Sequence, residues 1–563
     1  MSSFDEVVDF IVVGSGAGSM CAGLVMRSAG KSVLILEKTT LVGGTTARSG
    51  GAMWIPNNPF MKRDGIADSA EKALTYLDSF DINATDTPGA SRERRHAYIC
   101  EAPRMVEFLL SQGVKLNRAK EWPDYYDERP GGSAESRTVV AELFNVNELG
   151  SWKHRLRPTF VVPPSPVQAA SLEEMLELPA VKQSWGVKML AAKIVLRGLA
   201  AKLTGKHWVA AGAALQGRML QAVLQRGVDI RTESPVSELI VEGGVVQGVV
   251  TVKEGRPWRV SARLGVLVNA GGFAHNQRMR DRYQSGLPST WSLAAPGDTG
   301  EMIEEMMRHG ADVAQMEERV GYQMTIPPGT ENSEFKPGMQ GMTASPHVIL
   351  VDQSGVRYMN EGGSYMAYCK GMLERNETVP AVPSWAVFDS QYMDQYGLAG
   401  TLPGSKKPQQ WYDSGYLKQG QTIEELARQL KIEPATLKTT IERFNGFVAK
   451  NRDEEFHRGE RAYDRWLGDP FHVPSQTLGS ISEPSFYAVP VVPGDVSTYG
   501  GVVTDEWARV LRNDGSVIPK LYATGVSAAS VMGRVYPGSG SSIGPSFTFG
   551  YLAAKHAAAQ TLA

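Results

Sequence analysis

A chain of 563 residues can hold more than one domain, and 42% hydrophobic with 21% charged residues is the composition of a globular protein with large cores. A formal net charge of −2 excludes a domain-wide basic surface for nucleic acid, and three scattered cysteines (Cys21, Cys100, Cys369) exclude a disulfide framework. The nine histidines show no ligand spacing, so no metal is expected. No uncharged apolar run reaches the ~18 residues of a membrane span. The N-terminal stretch carries Asp5, Glu6 and Asp9 and passes straight into a strand without a leader pattern, so the expected location is cytoplasmic.

The first element is an apolar run at residues 7–13, a predicted strand. Gly14-Ser15-Gly16-Ala17-Gly18-Ser19 follows, then a helix-like stretch to Gly30 and a second apolar run at 33–36 ending in Glu37. This is the order of a dinucleotide-binding unit. Gly14 permits the tight turn, Gly16 lets backbone approach a pyrophosphate, the helix start offers free N–H groups, and Glu37 accepts from a ribose hydroxyl. An acid at that strand end favours a free ribose, as in FAD or NAD, over a 2′-phosphate. Ser19 stands at the third glycine position, where helix packs on strand, and Cys21 is expected inside the helix as a small core residue.

A second glycine cluster, 43–51, is placed to run back over the dinucleotide, with Gly44, Thr45, Thr46, Ser49, Gly50 and Gly51 touching phosphates and a flat ring. From Leu178 to Val228 there is no acid, while Lys182, Lys188, Lys193, Arg197, Lys202, Lys206, Arg218 and Arg226 are basic. Between Trp185 and Trp208 apolar blocks alternate with single cations. Two readings stand: an interfacial membrane helix, or a packed surface helix pair with snorkelling lysines. On one straight helix Lys188, Lys202 and Lys206 share a face and Lys193 and Arg197 fall opposite, with Gly198 and Gly205 as candidate breaks.

Residues 234–272 predict a β-meander (236–241, 245–252 and 258–262, with turns at Gly243-Gly244 and Gly255) and then a separate buried strand, 265–269, ending in Ala270-Gly271-Gly272. Near the C-terminus a strand runs into Thr524-Gly525, and a helix-like tail starts at Phe547. The expected fold class is α/β: a discontinuous Rossmann-like dinucleotide domain in three pieces (1–164, 213–317, 498–563), a basic helical insertion (165–212) and an inserted α+β cap domain (318–497).

Together these segments resemble the flavoprotein superfamily of fumarate reductase and succinate dehydrogenase flavoprotein subunits, which implies FAD. The further expected cofactor contacts are Ala17, Gly18, Lys38, Val236, Ala270, Gly271, Gly525, Ser542 and Ile543. The 43–51 loop has no histidine, so attachment should be non-covalent. Within the superfamily the chain is similar to the 3-ketosteroid Δ1-dehydrogenases through Trp122-Pro123-Asp124-Tyr125-Tyr126, through Arg357-Tyr358-Met359-Asn360-Glu361 with Tyr365, and through Gly533-Arg534-Val535-Tyr536-Pro537-Gly538-Ser539-Gly540. The resemblance implies a 3-ketosteroid substrate and a quinone or other electron acceptor; the basic insertion lies outside the resemblance, is absent from shorter members of the steroid family, and on its own pattern is a candidate surface for anionic membrane.

It also implies roles. A 1,2-dehydrogenation beside a ketone loses a proton from C2 and a hydride from C1. Tyr536 O–H and Gly540 N–H clamp the C3 oxygen, Tyr365 takes the C2 proton, and Tyr125 supports the tyrosinate. Glycine at 540 is expected to clear space for the steroid ring. Tyr126 and Tyr368 compete for two of these roles on sequence grounds, and the charged stretch 454–460 is read as a helix end ordering a loop. A related flavin ene-reductase, a Δ4-dehydrogenase and a non-catalytic FAD-fold lipid-binding protein are the alternatives.

Overall fold

The computed structural model describes residues 4–80, 87–135, 137–160, 169–178, 181, 184–284 and 286–560. Strand β1 (Glu6–Val13) leads into α1 (Ala17–Ser28) and β2 (Val33–Leu36), which lies parallel to β1. Alternate β1 side chains feed two cores: Phe10 and Val12 on one face, Ile11 and Val13 on the other. The second glycine cluster forms the short helix α2 (Gly44–Arg48). The basic insertion supplies α3 (Leu172–Glu177) and α4 (Trp185–Thr204).

The sheet continues through β3 (Asp229–Arg231), β4 (Glu238–Glu242), β5 (Val245–Lys253) and β6 (Arg256–Val268). The third meander strand and the expected separate return strand are thus one continuous strand of 13 residues. A positive φ of 140° at Gly265 lets β6 keep its place in the sheet: it pairs antiparallel with β5 and parallel with β1.

The inserted domain is a five-stranded antiparallel sheet of β7 (Arg319–Met324), β8 (Val348–Val351), β9 (Ser384–Asp389), β10 (Lys418–Gly420) and β11 (Phe486–Thr498), in the order β7-β11-β9-β8 with β10 beside β11. Helix α5 (Tyr365–Asn376) lies between β8 and β9 in sequence. The chain returns to the first sheet with β12 (Arg509–Leu511) and β13 (Val517–Ala523), giving the order β12-β13-β6-β1-β2-β3, and ends in α6 (Ile543–Ala558). Helix α6 starts at Ile543, before the expected Phe547, because Pro545 lies in its first turn, where a missing N–H costs nothing.

The close helix packing expected at Ser19 is made by Gly18. A Cβ there would lie 2.2 Å from the Ser546 carbonyl oxygen, and one on Gly550 2.4 Å from that of Gly18, so α1 and α6 cross at backbone contact. Ser19 Oγ instead lies 2.9 Å from the Asn269 side-chain amide. Cys21 is buried in α1 as expected.

Helix α4 runs unbroken through Gly198 and is ended by Gly205 (φ 66°). It buries Val187, Ile194 and Ala201 and turns Trp185, Met189, Leu196, Leu199 and Leu203 outward, with Trp185 79% and Leu203 89% exposed. Lys182 lies outside the described residues. Among the described residues, no helix is long and apolar enough to cross a membrane.

Candidate active site

One cavity of about 720 Å³ is walled by pieces of nearly the whole chain. Gly14, Gly16, Glu37 and Lys38 belong to its wall, as do Gly44, Thr45, Thr46, Ser49, Gly50, Gly51, Val236, Ala270, Gly271, Gly525, Ser542 and Ile543. Ala17 and Gly18 are not in the wall; they are taken up in the packing of α1. Tyr125, Tyr365, Tyr536 and Gly540 all face the same cavity.

The dinucleotide half is held by a short relay. Glu37 Oε2 accepts from Ser15 Oγ at 2.6 Å, and that oxygen accepts from the Gly43 N–H at 2.9 Å, fastening the second glycine loop to the first. Glu37 Oε1 accepts from Thr39 N and Oγ1. The N-caps of α1 (Gly16) and α6 (Ser542) make no side-chain cap bond and both line the cavity, so two helix N-termini point their positive ends at it, although Gly18 N donates to Ser546 Oγ and Gly544 N to the Gly540 carbonyl. Added Cβ atoms at Gly44 and Gly50 would meet nothing closer than 3.8 and 3.6 Å, so these backbones border open space that a ligand can occupy. This donor set fits a bound dinucleotide.

Asp298 is a wall residue that sequence reasoning missed. Its Oδ2 accepts from Thr45 Oγ1 at 2.7 Å, and burial pushes its carboxyl up to about 7 against that hydrogen bond. The available signal was an acid flanked by glycines, Gly297-Asp298-Thr299-Gly300.

The other half is aromatic. The rings of Tyr365 and Tyr536 are 5.2 Å apart, Tyr125 and Tyr365 5.3 Å, and Tyr125 and Tyr536 5.9 Å. Tyr125 Oη is 3.1 Å from Ser539 Oγ, and Tyr536 Oη is 3.1 Å from Ser542 Oγ. Tyr126 packs edge-on against Phe80, and Tyr368 is buried in the core of the antiparallel sheet, so neither competitor is in the cavity wall.

Each phenol is placed by its own motif. Asp124 accepts from Trp54 Nε1 and Arg137 Nη1, both at 2.7 Å, and Tyr125 N donates to the Pro537 carbonyl, joining the Tyr125 and Tyr536 segments. Arg357 clasps Glu361 through two bonds (2.7 and 2.8 Å) and Asp453 through two more (2.9 and 3.4 Å), and Arg458 Nη1 reaches Glu361 at 3.4 Å. All four side chains are buried. This knot fixes the turn that delivers Tyr365 as the first residue of α5. The stretch 454–460 therefore does order a loop, with Arg458 turned inward.

Burial raises the pKa of all three phenols. It takes Tyr365 well above an ordinary tyrosine, helped by the neighbouring oxygens of Tyr125 and Tyr536. Tyr536 is raised too, against opposing hydrogen bonds from Ser542, Tyr365 and the Gly540 N–H. Glycine at 540 has a different cause from the expected clearance for substrate. Its φ is 90°, and a Cβ would lie 2.1 Å from the Ala52 carbonyl oxygen, so the adjoining backbone demands it.

A dinucleotide trough and a ring of phenols beside a glycine N–H define a dinucleotide-dependent oxidoreductase. A family model described as "FAD binding domain" matches residues 9–543. The 3-oxosteroid 1-dehydrogenase of Mycobacterium tuberculosis is 38% identical over 98% of this chain and 98% of its own. That of Mycolicibacterium smegmatis is 37% identical over 99% and 98%. The solved 3-ketosteroid Δ1-dehydrogenase of Sterolibacterium denitrificans, in complex with 1,4-androstadiene-3,17-dione, superposes with a TM-score of 0.89 at 33% identity, covering 98% of this chain and all of that one. The chain belongs to the FAD-binding family that contains the 3-oxosteroid 1-dehydrogenases.

Proposed function

We propose that the protein is an FAD-dependent 3-oxosteroid 1-dehydrogenase that introduces a double bond between C1 and C2 of a 3-ketosteroid. The observation that carries this reading is the convergence of Tyr125, Tyr365, Tyr536 and Gly540 on one cavity with the dinucleotide trough. The two helix N-termini and the glycine backbones would hold FAD, which when bound supplies the hydride acceptor. Tyr536 Oη and Gly540 N donate to the C3 oxygen and so acidify the C2 proton; one such donor contributes ~3–4 kcal/mol. Tyr365 Oη, ionised as a phenolate that Tyr125 supports, takes that proton and becomes a neutral phenol. Anaerobic mixing with a 3-ketosteroid should bleach the flavin and yield the 1-ene, identified by mass and ultraviolet absorbance. A 4-ene product would favour the Δ4 alternative, and a flavin that no steroid bleaches would favour a binding protein.

We further propose that α4 rests on an anionic membrane surface, on the cytoplasmic side, with a quinone or another acceptor reoxidising the enzyme. At ~100° per residue, the exposed stripe Trp185, Met189, Leu196, Leu199 and Leu203 lies between Lys188 and Lys202 on one flank and Lys193 on the other, while Arg197, beyond Lys193, is paired with Glu174. Lysines on both flanks thus border an apolar stripe, as an interfacial helix requires. Co-sedimentation with anionic liposomes, weakening at high salt, is expected; equal recovery with neutral liposomes would count against it.

A further inference from the structure

We propose that steroid reaches the phenols laterally from the leaflet, through a portal walled by α3, and that the ion pair between Glu174 and Arg197 holds α3 in place on the membrane-seated α4. This rests on the membrane reading above and adds a route and a positioning pair to it.

Leu172 and Leu176 of α3 belong to the same cavity wall as Trp122, Trp466 and the three phenols. Leu176 is also 49% exposed, so one side chain borders both the cavity and the outside. None of the α3 side chains is fully buried. Its own start is closed by a capping box between Ser171 and Glu174, which orders the turn but does not anchor it. Leu172 packs beside Trp122 and Trp466, and Glu174 reaches across to Arg197, whose Nη1 donates to Oε1 at 3.2 Å and whose Nη2 donates to Oε2.

Arg197 therefore differs from Lys188, Lys193 and Lys202: its charge is committed to α3. The helix whose outer stripe is apolar is ionically joined to the helix that walls the cavity. A 3-ketosteroid is itself largely apolar and concentrates where the stripe is expected to lie. A path over Leu176 carries it between two apolar environments and spares the cost of full hydration. Arg197 acts here as a positioning residue.

The test compares one long-chain 3-ketosteroid presented in anionic phospholipid vesicles or as a cyclodextrin complex. Arg197→Ala should raise KM about fivefold for the vesicle-borne steroid, the scale set by losing a half-exposed ion pair. Flavin content, liposome pelleting, kcat and KM for the cyclodextrin complex should stay as in the wild type, and Arg197→Lys should restore the vesicle KM. Leu176→Glu, which sets a carboxylate on the path, should raise the vesicle KM independently of the ion pair. Pelleting with no change of vesicle KM in Arg197→Ala and Leu176→Glu would overturn the portal alone. An equal rise for both presentations in Arg197→Ala would do the same, by showing a general defect. A wild-type protein that stays in the supernatant would overturn the membrane reading and the portal with it.

Discussion

As the proposed base, Tyr365 is expected to set the pH behaviour of the reaction. Its phenol must be ionised to take the C2 proton, and burial with two neighbouring phenol oxygens holds its pKa well above the ordinary value near 10. At neutral pH the active fraction is therefore small and grows about tenfold per pH unit. The rate of flavin reduction by steroid should rise across the alkaline range, as a stopped-flow pH series will show. Tyr365→Phe should keep flavin and steroid binding and lower turnover by ~10²–10⁴, while Tyr368→Phe, in a core away from the cavity, should leave turnover near wild type. Tyr536→Phe should slow both flavin reduction and C2 proton exchange by ~10²–10³; exchange at the wild-type rate would remove Tyr536 from the carbonyl clamp. That Tyr365 and Tyr536 come together in one cavity was legible because short motifs carried them. The reason for Gly540 was not, since it depends on the Ala52 backbone, far away in sequence.

Between elements, the placement of α5 depends on the buried knot of Arg357, Glu361, Asp453 and Arg458. Removing the charge at Glu361 leaves the single carboxylate of Asp453 against two buried guanidinium groups, so Glu361→Gln should destabilise the fold by ~3–5 kcal/mol, read as a fall in Tm or in denaturant midpoint. Arg357 and Arg458 hold the Glu361 carboxyl below its ordinary range. The matching stability is present above the ordinary carboxylate pKa and is lost as pH falls through the lowered one, so acid should loosen the knot. The sequence marked Arg357 and Glu361 as a motif but not as an ion pair, because Asp453 and Arg458 come from another segment. Local pattern served well where an element is self-contained: β1, α1 and β2 with Glu37 stand as read. It served less well for β6, where a glycine bulge keeps one strand continuous, and for α4, where Gly198 looked like a break although burial of Val187, Ile194 and Ala201 on one face carries the helix through it.

For the whole molecule, the sheet order and the inserted antiparallel sheet bring distant segments to one cavity. The expected α/β class with an inserted domain was legible from the order of strands, turns and helices. The cavity wall was legible wherever a glycine turn or strand end announced itself, but Asp298 was not, because its partner Thr45 is brought to it only by folding. The cofactor should be released as free yellow FAD by acid precipitation, given the histidine-free loop at 43–51. Flavin that stays with the pellet would contradict non-covalent binding.

The crossing of α1 and α6 at Gly18 and Gly550 also fixes an order of events during synthesis. The trough needs Gly14 and Gly16 from an early segment and Ser542 and Ile543 from a late one, and the two helices meet at backbone contact with no room for a substitute. A nascent chain stalled on the ribosome with Ser542 still in the exit tunnel has one of the two helix ends that border the cavity but not the other. Loading of the flavin is thus a late event in biogenesis, and such stalled chains should remain colourless.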